Sequence, residues 1–246
     1  MVLKRFKSII KSNQGVTLVE LSIVLVIIGV LVSGVIIGSS YIRTSELQGV
    51  IKDLKSYQAA VGNFRDKYGA IPGDLTNKRN FFSIADDHYG NGNGRYDQSS
   101  SGSSTDVEGF LAWEHLAKAG LINGDFDGSS TGYQIGVNVP TSKITGSSMN
   151  FHSKVGASED QNIYGIQKNM IQLTGGSYDV GLLSVEDAVY IDNKIDDGEP
   201  AKGVIVIYNG DMTAAGCVDQ SPESTAVTTL QYGNKNGDCS LAYILQ

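Results

Sequence analysis

Between Leu21 and Ile42 the chain carries no charged residue. Twenty-two residues in a helix span roughly 33 Å at ~1.5 Å per residue, enough for a hydrocarbon core of ~30 Å. Ile23, Val24, Leu25, Val26, Ile27 and Ile28 follow one another without a polar break, so a helix here has no wet face. A run this long fits a membrane span better than the buried helix of a large soluble protein. A basic leader, Met1 to Gln14, precedes it with Lys4, Arg5, Lys7 and Lys11 and no acid. That bias holds the leader on the cytoplasmic side, so the bulk of the chain is expected on the other side.

The order of the signals matters more than the hydrophobicity. A secretory signal peptide places its small-residue cut after the apolar stretch and loses that stretch. Here the processing-like step Gly15-Val16 comes first, within Gly-Val-Thr-Leu-Val-Glu at 15–20. A cut there removes the leader and keeps the apolar helix. This layout resembles that of type IV prepilins and the pseudopilins of type II secretion. The resemblance implies a prepilin peptidase that cuts after Gly15 and methylates the new amino terminus at Val16, where the family more often has Phe or Met. It also makes Glu20 the family's glutamate, fifth in the mature chain. Loss of the leader takes four of 19 basic residues and none of 26 acidic ones, moving the net charge from −7 to −11.

A carboxylate inside a membrane span costs ~2.5–3.5 kcal/mol near the bilayer centre and marks function more often than not. Glu20 either sits at the membrane edge or, after cleavage, pairs with the amine of Val16 on its own or a neighbouring chain. Such pairing compensates both charges as helices leave lipid for a filament core, where an unpaired charge is expensive. Gly29 with Ser33, and Gly34 with Gly38, place small residues four apart, a spacing that allows close helix approach.

Beyond the span the period changes. Leu47, Val50, Ile51, Leu54, Tyr57, Val61, Phe64 and Tyr68 recur at three and four residues and give one apolar stripe, with Arg43, Glu46, Lys52, Asp53, Lys55, Arg65 and Asp66 on the other faces. Gly69 and Pro72-Gly73 end the helix. A helix from Val16 to Tyr68 would measure ~80 Å. The stretch from Asp53 to Asp74, closing on Tyr-Gly-Ala-Ile-Pro-Gly-Asp, resembles the helix-to-head junction of pilin-like proteins. The expected organisation is a leader at 1–15, a membrane and assembly half-helix at 16–42, an amphipathic half-helix at 43–69 and an exported head at 70–246.

In the head, Thr105-Asp-Val-Glu108 reads as a capping box opening a helix that Gly120 closes, and Ser184-Val-Glu-Asp187 opens another. Tyr133–Val139, Met170–Thr174 and Gly203–Tyr208 read as strands. The expected fold class is α+β, pilin-like: a long N-terminal helix packed on an antiparallel sheet with Gly-rich loops.

Two acidic clusters are candidate cation sites. Asp86, Asp87 and Asp97 flank an Asn/Gly loop rich in hard oxygen donors, as calcium requires. A register using Asn91, Asn93 and Gly94 puts Tyr89 where the first carboxylate belongs, so the alternatives are a looser calcium site and a solvated turn. Asp192, Asp196 and Asp197 form the second cluster. Asp192 and Asp196 share a helix face, where like charges repel unless a cation intervenes; a plain helix end is the other reading. Calcium is thus a possible cofactor and no other is implied. Cys217 and Cys239 are the two cysteines; an even pair in an exported head reads as a disulfide, and it resembles the C-terminal disulfide-bounded region of many pilins.

No Gly-x-Ser-x-Gly, phosphate loop or His-Glu-x-x-His occurs, and His88, His115 and His152 are scattered. Lys78-Arg79 and Lys52 with Lys55 are isolated basic pairs in an acidic chain, which disfavours nucleic acid as a partner. The sequence therefore reads as a non-enzymatic structural subunit of a pilus-like or pseudopilus filament, with a large loop-rich head that leans towards a minor subunit. Its implied partners are prepilin peptidase, other pilin or pseudopilin subunits, an inner-membrane assembly platform and the membrane itself. The implied location is the inner membrane, with the head exported, and then a periplasmic or extracellular filament. A membrane-tethered periplasmic enzyme or binding protein is the alternative.

Overall fold

A computed structural model describes residues 15–76, 88–96, 107–129, 132–153, 168–176, 180–200, 202–210, 216–218, 230 and 239–246. The chain divides into two compact units, the first ending at Thr44 and the second beginning at Ser45. The first helix, α1, runs Leu18–Tyr68. In the first unit its apolar side chains are exposed on every face, and the helix is long and apolar enough to cross a membrane. In the second unit Leu47, Val50, Leu54, Val61 and Phe64 are buried and Ile51, Tyr57 and Tyr68 pack against them, the stripe that the spacing predicts. Gly69, at φ +75°, closes the helix with its N–H on the Arg65 carbonyl at 2.8 Å.

Two shorter helices follow. α2, Val107–Lys118, buries Phe110, Leu111, Trp113 and Leu116. It ends in a Schellman turn, in which Leu121 N–H donates to the Leu116 carbonyl at 3.0 Å and Gly120 N–H to that of Ala117 at 2.9 Å. Thr105 lies outside the described residues; the Glu108 carboxylate accepts the N–H of Asn91 at 3.0 Å. α3, Val185–Ile195, is capped by Ser184, whose hydroxyl accepts the Asp187 N–H at 3.1 Å.

The sheet is antiparallel with strand order β1-β2-β4-β3, where β1 is Ser147–His152, β2 Met170–Gly175, β3 Ile205–Asn209 and β4 Cys239–Ile244. The protein is therefore α+β, a long N-terminal helix with a four-stranded antiparallel sheet, as a pilin-like fold demands. Met149, Phe151, Ile171, Leu173, Leu241, Tyr243, Ile205 and Ile207 on one face of the sheet share a single apolar core with the α1 stripe and α2. Trp113 is the hinge of that core. Its ring lies 4.8 Å from Tyr57 on α1, edge-on, and 4.4 Å from Phe151 on β1, geometry that adds to the gain from burial alone. Tyr243 on β4 donates its hydroxyl to the Gln58 amide oxygen of α1.

Residues 133–139 correct the sequence reading. They form a turn, with Val137 N–H on the Gln134 carbonyl at 2.9 Å and Gly136, at φ +83°, donating to Val139 at 2.7 Å. Asn138 organises it. Its buried side chain accepts the Gln134 N–H at 2.8 Å and donates to the carbonyls of Ser129 and Gly132 at 2.9 and 2.6 Å, so local side-chain bonds replace a strand ladder. The strands at 170–174 and 203–208 are present as β2 and β3, while β1 and β4 were not anticipated.

The turn after α1 is held by a histidine. His115 on α2 accepts the Gly73 N–H on Nδ1 at 2.8 Å and donates from Nε2 to the His88 carbonyl at 3.1 Å. Its ring stacks on Phe64 at 6.1 Å. Gly73 sits at φ +85°, where a Cβ would fall 2.2 Å from the Glu108 carbonyl, so no other residue fits. Burial pushes the His115 imidazole down to about 4, against the His88 carbonyl, which favours the charged ring. A depressed histidine stabilises the fold fully above its unfolded value of ~6.5 and loses that contribution as pH falls through about 4. Chemical unfolding of the full chain in detergent between pH 7 and 4 should show His115→Gln losing up to about 3 kcal/mol less than wild type; equal acid losses would contradict this role.

The C-terminal region is bridged. Cys217 is bonded to Cys239 at the head of β4, with Cα atoms 5.1 Å apart and a sequence separation of 22. Leu182 and Leu183 donate to the Cys239 carbonyl at 3.0 and 3.1 Å, and Cys239 N–H returns to Leu183 at 3.0 Å. Closing a loop of this length contributes about 3 kcal/mol through the unfolded state. Cys217→Ser is therefore expected to destabilise the head by that order, read as a lower denaturant midpoint. An unchanged midpoint would mean that hydrogen bonding alone holds the region.

Candidate processing and assembly site

Thr17 and Glu20 start α1 as a reciprocal cap. Thr17 Oγ1 accepts the Glu20 N–H at 3.2 Å, while Glu20 Oε2 accepts the Thr17 N–H at 2.9 Å and the Thr17 hydroxyl at 2.8 Å. This is the Ser/Thr-x-x-Glu pattern, in which two orphan amides of a helix start are satisfied by one pair of side chains. The sequence contained it, as Thr17-Leu-Val-Glu20, but its place inside the processing motif drew attention to Gly15, Val16 and Glu20 alone. Val16 precedes the cap and is 73 % exposed. A cut before it would leave a cationic amine at the positive end of a helix, and the Glu20 carboxylate one turn in offsets that charge.

Gly15 has no other atom within 4 Å of where a Cβ would stand, and the same holds for Gly29, Gly34 and Gly38. Nothing in the described fold fills the space that a Cβ would take at these four positions. Four hydroxyls of this part of the helix bond back to its own carbonyls. Ser22 donates to Val19, Ser33 to Gly29 and Ser40 to Ile37, all at 2.8 Å, and Thr44 to Ser40 at 2.9 Å. In hydrocarbon an unsatisfied polar group costs several kcal/mol, and back-bonding of this kind removes that penalty.

Of the two acidic clusters, Asp86, Asp87 and Asp97 lie outside the described residues. The loop between them is described, and its Asn oxygens serve the loop itself. Asn91 Oδ1 accepts the Asn93 N–H and Asn93 Oδ1 the Arg95 N–H, each at 2.9 Å. The loop folds onto Asp74, a buried carboxylate accepting the N–H groups of Gly92 and, at 2.6 Å, Gly94. Sequence reading passed over Asp74 because an acid after Pro-Gly looks like a solvated turn. Asp192, Asp196 and Asp197 do come together at the end of α3. Burial pushes the Asp192 carboxyl up to about 7, with the charges of Asp197 and Asp196 adding to it against the pull of the Gly198 N–H.

His88, at the start of the 88–96 loop, packs on α2 beside His115; its Nδ1 lies 2.6 Å from Glu114 Oε2, a carboxyl that burial pushes up. His152 is buried on β1.

Residues 10–36 match the family model of the prokaryotic N-terminal methylation motif. The segment that carries the Thr17–Glu20 cap and most of the apolar run is thus the prepilin-type cleavage and methylation motif. It supports a pilin- or pseudopilin-like precursor, and it implies processing by a prepilin peptidase. No curated protein and no solved structure was found to match the chain.

The mature protein is expected to begin at Val16. Gly15→Leu should leave the leader attached, since nothing in the fold resists the side chain and only the fit to the peptidase is lost. N-terminal sequencing of membrane-extracted wild-type protein that finds Met1 or a start after Gly38 would sink this assignment.

Proposed function

We propose that the mature chain is a structural subunit of a type IV pilus-like or type II secretion pseudopilus filament, assembled through the first half of α1. The observation that carries this reading is the pairing of a methylation motif with a helix whose apolar side chains are exposed on every face up to Ile42. Such a surface needs a continuous apolar surrounding, lipid before assembly and neighbouring helices after it. Proteins with this motif act as structural subunits, which supports a non-enzymatic role. The subunit waits in the inner membrane with residues 45–246 exported, and it enters the filament through an inner-membrane assembly platform beside other pilin or pseudopilin subunits. The size of the head and its many loops favour a minor subunit.

Glu20 supplies the specificity of assembly in this scheme. Its carboxylate meets the Val16 amine of its own or an adjacent subunit as both leave the membrane edge. Glu20→Val should be processed and inserted normally, since the change makes the span more apolar, yet it should fall at least about tenfold in sheared filaments, the loss expected from ~1.4 kcal/mol of binding energy. Recovery at the wild-type level would remove Glu20 from assembly. Absence of the wild-type chain from sheared filaments, with the protein still tethered to membranes, would instead favour an anchored periplasmic protein.

A further inference from the structure

The acidic cluster at the end of α3 has a built geometry that neither filament assembly nor folding explains. Asp192 faces inward from the last turn of α3 and is 0 % exposed, and its carboxylate oxygens lack a hydrogen bond of good geometry, the Gly198 N–H being the backbone donor that pulls on them. A buried carboxylate so poorly compensated is among the most costly groups a fold can hold. Asp196 and Asp197 are held in place by backbone amides. Asp196 Oδ2 accepts the N–H of Val204 and, at 3.3 Å, that of Ile205, while Asp197 Oδ1 accepts the Glu199 N–H at 2.8 Å. Each keeps its second oxygen outside those bonds.

One oxygen from each of the three carboxylates lies within 4.8 Å of the others. Two oxygens bound to one calcium ion at ~2.4 Å stand no more than ~4.8 Å apart, so the spread is that of a coordination shell. Of the nearby cations, Lys202 pairs with Glu199 and also feels the charge of Asp197, while the Lys194 ammonium lies over the Tyr190 ring at 5.7 Å. Among the described residues no lysine or arginine bridges any of the three acids. Gly203, at φ +74°, lets the following loop close over the carboxylates; a Cβ there would fall 1.6 Å from Asp196 Oδ2.

We propose that Asp192, Asp196 and Asp197 form a divalent-cation site of the calcium type, which ties the end of α3 to the loop entering β3. The donors are all hard carboxylate oxygens, which suit calcium or magnesium and not the softer metals that favour nitrogen and sulfur. Calcium fits better than magnesium because it tolerates an irregular, partly hydrated shell, and three protein carboxylates on one side of the ion leave the rest to water.

The test is thermal unfolding of the full chain in detergent, titrated with calcium chloride and then with EDTA, for wild type, Asp192→Asn and Asp197→Asn. Wild type should gain about 5–10 °C at a hundredfold excess over Kd. Asp192→Asn should lose that gain while melting in EDTA no lower than wild type, because the amide removes a buried charge without changing shape. Asp197→Asn, on an exposed side chain whose amide oxygen can still accept the Glu199 N–H, should weaken the apparent Kd at least about tenfold. No calcium shift in wild type would overturn the site, as would an undiminished shift in both variants, which would locate the ion elsewhere. Should Asp192→Asn fail to fold, the Asp197→Asn titration decides alone, an unchanged Kd rejecting the proposal.

Discussion

A helix can bury only one stripe of its surface against a folded domain, and α1 obeys that limit only from Ser45 onward. Past that point the apolar positions fall three and four apart and meet Trp113, Phe151 and the inner face of the sheet. Before it they cover the cylinder, and no single domain surface could satisfy them. The head therefore needs only a stripe, while the first unit needs a surrounding medium.

The second unit solves a related problem with polar groups. The backbone leaving α1 turns sharply at Pro72-Gly73, where its amides face inward. His115 and Asp74 take those amides and the ones of the Asn/Gly loop, so a segment that would be solvated elsewhere is folded against α2. His115 accepts through the Nδ1 of its ring and Asp74 through both of its carboxylate oxygens. The hydrogen bonds of the junction converge on two buried side chains, whereas apolar packing alone would have left the amides unmet.

The legible parts of this molecule were those governed by periodicity and by local chemistry. The α1 stripe, the Ser184 cap and the glycine stops follow from spacing that any solvent-facing helix must show. The sheet was less legible because both of its faces are buried. On β1, Ser148, Asn150 and His152 alternate with Met149 and Phe151, yet all five are inside, and Ser148 and Asn150 stand opposite Thr174 and Gln172 of β2. Such a strand reads as a polar loop when taken alone. β4 was hidden differently, in six residues after a glycine-rich stretch, with its register set by partners distant in sequence. The Asp192 cluster was visible as a repulsive pair four residues apart. Its burial was not, since that depends on the α3–β3 packing.

The cap formed by Thr17 and Glu20 bears on what proteolysis does to the spine. The first backbone hydrogen bond of the helix runs from Leu21 to the Thr17 carbonyl at 3.1 Å, and Gly15 and Val16 lie outside the helix. Severing the peptide between them breaks no hydrogen bond of the helix and leaves its first turn nucleated. A cut at that bond would leave the described helix as it is: it would trade a basic peptide for a single amine and hand on a helix whose end is already closed. A cut even three residues later would open that end and let the first turn fray in lipid, where water cannot take up the freed amides.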